Sequence, residues 1–396
     1  MATDFWIEAA SFLLRWLHVV AAIAWIGESF YFVMLDRALK PPRHYEPRVH
    51  GELWSVHGGG FYHKRKFLPA PEQLPEDLHW SKWKSYTTWL SGFALLAILY
   101  LAQPGIWLID SAVAALTPAQ AIAAALGFLA GGYVVYDGVC RLVGFRDALL
   151  GAIVAAFVLG LCFLATQLFA SRAAFLLVGA TLATIMSANV FFVIIPGQKR
   201  MVAALARGET PDPLPGKRGK QRSVHNTYFT LPVVFAMLSI HYAPAHAHQH
   251  AWIVLALFML AGALIRQFFV LWHSGGRAWW LLALGGGLLL ATFTWLAPHP
   301  QAAPAPGSSP DLAAPSTAQV QAVLAQRCVQ CHARAPTLMP SAPLGAVFES
   351  ETEIEQRADK LHQQTVLLKI MPPGNLTQMT DEERELIDRW YLARRP

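Results

Sequence analysis

Cys328-Val329-Gln330-Cys331-His332 is the segment whose residue types and spacing point most directly to chemistry. Two thiols on this spacing can form thioethers to the vinyl groups of one haem, and the histidine that follows then falls under the iron as its fifth ligand. A zinc half-site or a redox dithiol would need a second Cys/His pair at metal spacing or a βαβ context, and the sequence offers neither. The motif therefore reads as the attachment site of one covalent haem c. The sixth iron ligand should be a thioether, which raises the potential. Met371, in Met371-Pro372-Pro373-Gly374-Asn375, is the choice because the prolines stiffen the loop that presents it. Met339 and Met379 are the alternatives.

The elements that must hold this iron follow from the local pattern. Thr317–Arg327 places Val320, Val323 and Leu324 on one helical face just before the motif. Thr380-Asp381-Glu382-Glu383 is a capping box that opens a last helix with Leu386, Ile387 and Trp390 on its apolar side. Two terminal helices packed across each other are the frame of a small class I cytochrome c, here residues 316–396. Residues 298–315, rich in Pro and Ala, read as a semi-rigid extended linker that lets this domain dock and undock.

The rest of the chain is of another kind. Of 396 residues 55% are hydrophobic and 14% charged, which is too apolar for a soluble enzyme and fits a polytopic membrane protein with one soluble appendage. About eight stretches have membrane-crossing length: 12–35, 86–103, 119–139, 148–169, 173–195, 224–242, 251–272 and 278–296. The fold expected is thus all-α, a helical bundle over 1–297 followed by the cytochrome domain. Cys140 and Cys162 lie alone in apolar stretches and read as buried structural thiols.

Lys and Arg crowd the loops after the first, third, fifth and seventh stretches, while the alternate loops carry almost none apart from Arg172. By the positive-inside rule those basic loops face the cytoplasm and both termini face the other side. Haem c is attached outside the cytoplasm, so two independent arguments place the C-terminal domain in the periplasm of a bacterial inner membrane. The surrounding lipid is a partner; nucleic acid is not.

Polar residues inside apolar helices are costly and point to function. The first stretch offers Arg15, His18 and Glu28, and the fifth Ser187 and Asn189. The sixth opens on His225-Asn226-Thr227 and closes on His241, and the seventh carries Arg266-Gln267. By depth, His18 and His241 suit a haem b between helices, against the plainer reading of interfacial histidines bonded to backbone. The cytoplasmic loop 36–85 contains His57-Gly58-Gly59-Gly60-Phe61-Tyr62-His63 and is too aromatic to be disordered. Its glycines suit either a tight turn or a close approach of backbone to a ligand.

The opening Leu14-Arg15-Trp16-Leu17-His18 with Ala24-Trp25-Ile26-Gly27-Glu28, the HGGGFYH segment, Ser223-Val224-His225-Asn226-Thr227 with Leu231-Pro232, and the CxxCH tail after the spans together resemble the membrane-bound, cytochrome c-linked urate oxidases (urate hydroxylase, PuuD type). The likeness covers nearly the whole chain. It implies that urate and water give 5-hydroxyisourate in purine catabolism, without hydrogen peroxide. Electrons would pass to the chain's own haem and on to a soluble cytochrome c or a terminal oxidase. Under that reading Glu28, His57 or His225 accepts a proton, and Asn189, Asn226 and Gln267 read the edges of the purine. Two other classes stay open on the residues alone. One is an electron conduit fed by a quinol or a partner dehydrogenase. The other is a haem- or copper-handling membrane protein, to which the short run Ala243–His250 bears a weak likeness.

Overall fold

The computed structural model describes residues 2–297 and 314–394, so the linker expected at 298–315 lies almost wholly outside the described residues. Helix α1 (Ala2–Ala38) is followed by strands β1 (Val49–His57) and β2 (Gly60–Phe67), then α2 (Trp83–Leu96) and the short α3 (Pro104–Trp107). The bundle continues with α4 (Pro118–Val143), α5 (Asp147–Leu168), α6 (Ser171–Ala188), α7 (Ile195–Ala206), α8 (Leu214–Ser239), the short α9 (Ala243–His246), α10 (Ala251–Trp272) and α11 (Trp279–Leu296).

Six helices in the described residues are long and apolar enough to cross a membrane: α1, α4, α5, α6 running on into α7, α10 and α11. The crossings expected at 86–103 and 224–242 lie on α2 and α8, which do not meet the same measure. The first half of α8 is too polar, because it carries Lys217, Arg218, Lys220 and Arg222. Even so, α8 is the centre of the bundle and packs on both α6 and α10. Pro232 inside α8 lies against Gly262 of α10, where an added Cβ would come 3.1 Å from the proline Cδ. Small residues at such crossings let helix backbones approach in lipid.

The chain departs from the all-α expectation in the loop 36–85, where β1 and β2 form an antiparallel hairpin. His57 and Gly60 are the closing pair, and Gly58 and Gly59 take φ of 58° and 80°. Positive φ at both central positions is the two-residue turn that matches strand twist, and glycine adopts it without strain. The glycine run is therefore a structural turn. The hairpin leans on the end of α1, with Lys66 paired to Asp36 at 2.5 Å and the Lys64 ammonium 4.9 Å from the Tyr31 ring centroid.

α6 widens into a π turn over Asn189–Ile194 before α7. Pro196, early in α7, has no N–H to offer the preceding turn and its ring crowds the carbonyl four residues back. A wider turn relieves both. Such bulges recur at functional sites because they re-aim side chains, and here the turn begins at Asn189.

The C-terminal domain has α12 (Thr317–Arg327), α13 (Glu351–Gln356), α14 (Ala358–His362) and α15 (Asp381–Leu392). α12 begins and ends where the sequence pattern places it, and Thr380 and Glu383 form the expected capping box. α12 packs on α15 through Val320, Leu324, Ile387 and Trp390, and the Arg327–Glu383 ion pair closes the seam at 2.9 Å. Among the described residues the domain meets the bundle at one end. Gly374 lies against the Ile109 carbonyl just beyond α3, and Ser341 donates to Glu8 of α1 at 3.3 Å. The start of α1 and the C-terminal domain thus share one end, and the hairpin sits at the other.

Candidate functional site

A buried polar cluster forms where α4, the π turn after α6, and α8 meet. Tyr136 of α4 is fully buried, and its hydroxyl shares a 2.8 Å hydrogen bond with His225 Nδ1. Asn189 Nδ2 donates to the Tyr136 oxygen at 3.2 Å and to Asn226 Oδ1 at 2.9 Å. Asn226 in turn donates Nδ2 to the Met186 carbonyl at 3.0 Å. That last bond fixes the Asn226 amide, so Asn189 must turn its nitrogen inward, which leaves Asn189 Oδ1 buried without a partner among the described residues.

Below Tyr136 lies a buried guanidinium. Arg222 donates Nη2 to Asp137 at 2.7 Å and sits 4.9 Å from the Tyr136 ring centroid. Asp137 also receives Arg141 Nε at 2.6 Å. Arg222 Nη1 is buried and has no partner in the described residues. An unmet acceptor and an unmet donor, both beside one tyrosine, are costly in a helical body. They suit a small polar guest that brings N–H groups and oxygens of its own. His225 is only half-buried, and its Nε2 is the ring atom not used by Tyr136.

Three of the six residues expected at the site thus come together: His225, Asn189 and Asn226; Gln267 instead accepts from Tyr228. Glu28 stands apart, facing α2, with Lys84 at 2.7 Å and Ser81 also donating to it. His57 is exposed in the hairpin turn. The site residues not singled out from sequence are Tyr136, Arg222 and Asp137. The Tyr136-Asp137 pair near the end of an apolar helix was the signal available for them.

His18 also faces α2. Its Nδ1 lies 3.0 Å from the Thr88 carbonyl and 3.1 Å from Ser91 Oγ, with Nε2 left over. Its ring rests on Gly92, where a Cβ would come 2.8 Å from Cε1. His241 is exposed just past the end of α8, and no hydrogen bond or ring contact joins it to His18 among the described residues.

In the C-terminal domain Cys328 is buried at the end of α12 and Cys331 is half-buried, both as free thiols. Burial pushes the Cys328 thiol up to about 12 and raises Cys331 as well. His332 Nδ1 lies 2.9 Å from the Ala346 carbonyl. Donation there fixes the ring and leaves Nε2 free, the arrangement in which an iron-bound histidine would be held. Burial also lowers the His332 pKa. Met371 is half-buried, and its carbonyl accepts from Arg384 at 3.0 Å, while Met379 is buried in the domain core. Two thiols and a histidine with a free Nε2 are the side-chain types that one covalently held haem would need.

At the α3 end of the bundle, His246 of α9 is buried beside Ser171 and Phe175. Burial, with Arg172 adding to it, lowers its pKa to about 4. A histidine depressed in the fold contributes stability above its unfolded pKa near 6.5, lost as pH falls toward 4. The loss is on the order of 3 kcal/mol at its limit. The thermal midpoint should fall between pH 6.5 and 4.5, and His246→Gln should flatten that slope in melts followed by circular dichroism.

Compared with known families, residues 4–297 match the family model described as urate oxidase N-terminal. No curated protein and no solved structure matches the chain.

Proposed function

We propose that this chain, which belongs to the urate oxidase N-terminal family, oxidises urate with water to 5-hydroxyisourate within its helical bundle. Two electrons and two protons leave the substrate, and the electrons pass to a haem c on the chain's own C-terminal domain. The observation that carries the reading is the pair of buried, unmet groups around Tyr136: Asn189 Oδ1 as acceptor and Arg222 Nη1 as donor.

Urate is a planar monoanion with N–H donors and carbonyl oxygens on its rim. Asn189 Oδ1 takes one N–H, and Arg222 Nη1 meets an oxygen that carries part of the negative charge. With Nδ1–H of His225 donated to Tyr136, Nε2 is a free lone pair at the half-buried edge of the cluster. It receives a proton from substrate or attacking water, a role for which imidazole is suited near neutral pH. Tyr136 and Asn226 orient His225 and Asn189.

Cys328, Cys331, His332 and Met371 would hold haem c, which when bound takes electrons one at a time. Asn189 lies eighteen residues from the α3 end of its helix, about 27 Å at 1.5 Å per residue. That span calls for a relay. His18, with Nδ1 held by Thr88 and Nε2 left over, is the residue best placed to hold a haem b; His241 is not brought to it. The bundle would lie in a bacterial inner membrane with both termini in the periplasm. The shared end of α1 and the C-terminal domain supports that sidedness. A soluble cytochrome c or a terminal oxidase would be the final acceptor.

The test is anaerobic addition of urate to the oxidised, full-length protein. Growth of the reduced c-type absorbance is expected, with 5-hydroxyisourate formed in proportion. No reduction at full haem occupancy would favour an electron conduit fed by a quinol or a dehydrogenase.

A further inference from the structure

Arg266 of α10 is the least compensated charge of the bundle. It is 97% buried, since its relative exposure is 3%, and neither Nε nor Nη2 has a partner in the described residues. These two atoms form one side of the guanidinium, the edge that binds two oxygens of one anion in a fork. The rest of the group is held in place. Its carbon lies 4.5 Å from the Phe30 ring centroid of α1. The neighbouring Gln267 accepts from Tyr228 of α8. An arginine steadied on one face and left open along its bidentate edge is built to receive something.

We propose that Arg266 is an oxyanion receptor where α1, α8 and α10 meet, and that it takes a phosphate group. The surroundings favour the headgroup of a membrane phospholipid as the source. α1 packs mainly along α2 and touches α8 and α10 only lightly, so the junction is loosely packed on the α1 side. Arg266 is six residues, about 9 Å, inside the Trp272 end of α10. At that end Trp279 and Trp280 are exposed, and Arg37 of α1 reaches Ser274 at 3.4 Å. Aromatic residues of this kind mark the headgroup level. Basic pockets between membrane helices bind anionic headgroups there. Among the described residues no hydrogen bond, ion pair or ring contact joins Arg266 to Tyr136, His225, Asn189 or Asn226, and the proposal does not depend on the urate reading.

The experiment compares full-length wild type, Arg266→Lys and Arg266→Gln purified in detergent. Tightly held phospholipid is measured by native mass spectrometry. Each protein is then delipidated and melted with short-chain phosphatidylglycerol or with inorganic phosphate. Wild type should retain phospholipid, and Arg266→Gln should retain at least about tenfold less. Arg266→Lys should fall between, because an ammonium cannot present a two-pronged edge. Short-chain phosphatidylglycerol should raise the melting temperature of delipidated wild type and leave Arg266→Gln unmoved. An equal response to inorganic phosphate would keep the receptor and make its source a free anion. Arg266→Gln should also melt no lower than delipidated wild type, because it removes an uncompensated charge and breaks no pair. A purely structural arginine would give the opposite sign. Equal lipid retention and equal probe response in wild type and Arg266→Gln would overturn the proposal, as would a wild type that responds to neither probe.

Discussion

His225→Ala is expected to lower the rate of urate-driven haem reduction by about 10²–10⁴-fold, the range a positioned general base supplies. The measurement is stopped-flow absorbance at saturating urate, with haem content matched between variants. The effect should fall mainly on the maximal rate rather than on the substrate concentration for half-maximal rate, because the imidazole is assigned to the proton and the amides to binding. Tyr136→Phe separates the two duties. It keeps the ring under Arg222 and removes the oxygen that holds His225 Nδ1 and Asn189 Nδ2. Its rate should therefore fall less than that of His225→Ala, with a shifted pH profile. Unchanged turnover in His225→Ala at full haem content would remove this histidine from the chemistry and leave Glu28 or His57 as the proton acceptor.

The parts of this site differ in how far they could be read from sequence. His225, Asn189 and Asn226 were visible because each is a polar group in an apolar helix, and the bilayer makes such groups expensive. Their convergence was not visible. Tyr136 and His225 are 89 residues apart and meet only through the packing of α4, α6 and α8. The π turn that aims Asn189 inward was equally hidden, because Pro196 acts on the turn before it and a hydropathy pattern does not register a widened turn. Local chemistry was read well. The Thr380–Glu383 capping box, the start and end of α12, and the turn reading of the HGGG segment each depend on a few adjacent residues, and each appears in the structure. The hairpin is not legible in this way, because its strands, rich in His, Lys and Arg, show no clean period-two alternation of apolar residues. Arg222 was counted only as a loop charge that sets topology, although its guanidinium is buried against Asp137 and Tyr136.

The second large effect concerns the C-terminal motif. In the double variant Cys328→Ala, Cys331→Ala, covalent haem should be absent from the intact mass, and the c-type absorbance should not survive acid–acetone extraction. Urate-driven reduction at that band should drop to background. Binding of urate to the bundle should stay within about twofold of wild type, because sites far apart with no shared partners behave independently. The Tyr136 cluster lies toward the hairpin end, whereas among the described residues this domain meets the bundle around α3 and the start of α1. Equilibrium dialysis of urate against the haem-free variant measures that binding without turnover. His332→Ala gives the complementary result, in which both thioethers form and the iron loses the ligand that the Ala346 carbonyl holds in place. Its haem should remain covalently attached, with an altered ligation spectrum. If wild-type material carried Cys328 and Cys331 unmodified while still oxidising urate, the electrons would have to leave the bundle by another route, and the assignment of the acceptor would fail while that of the oxidation site stood.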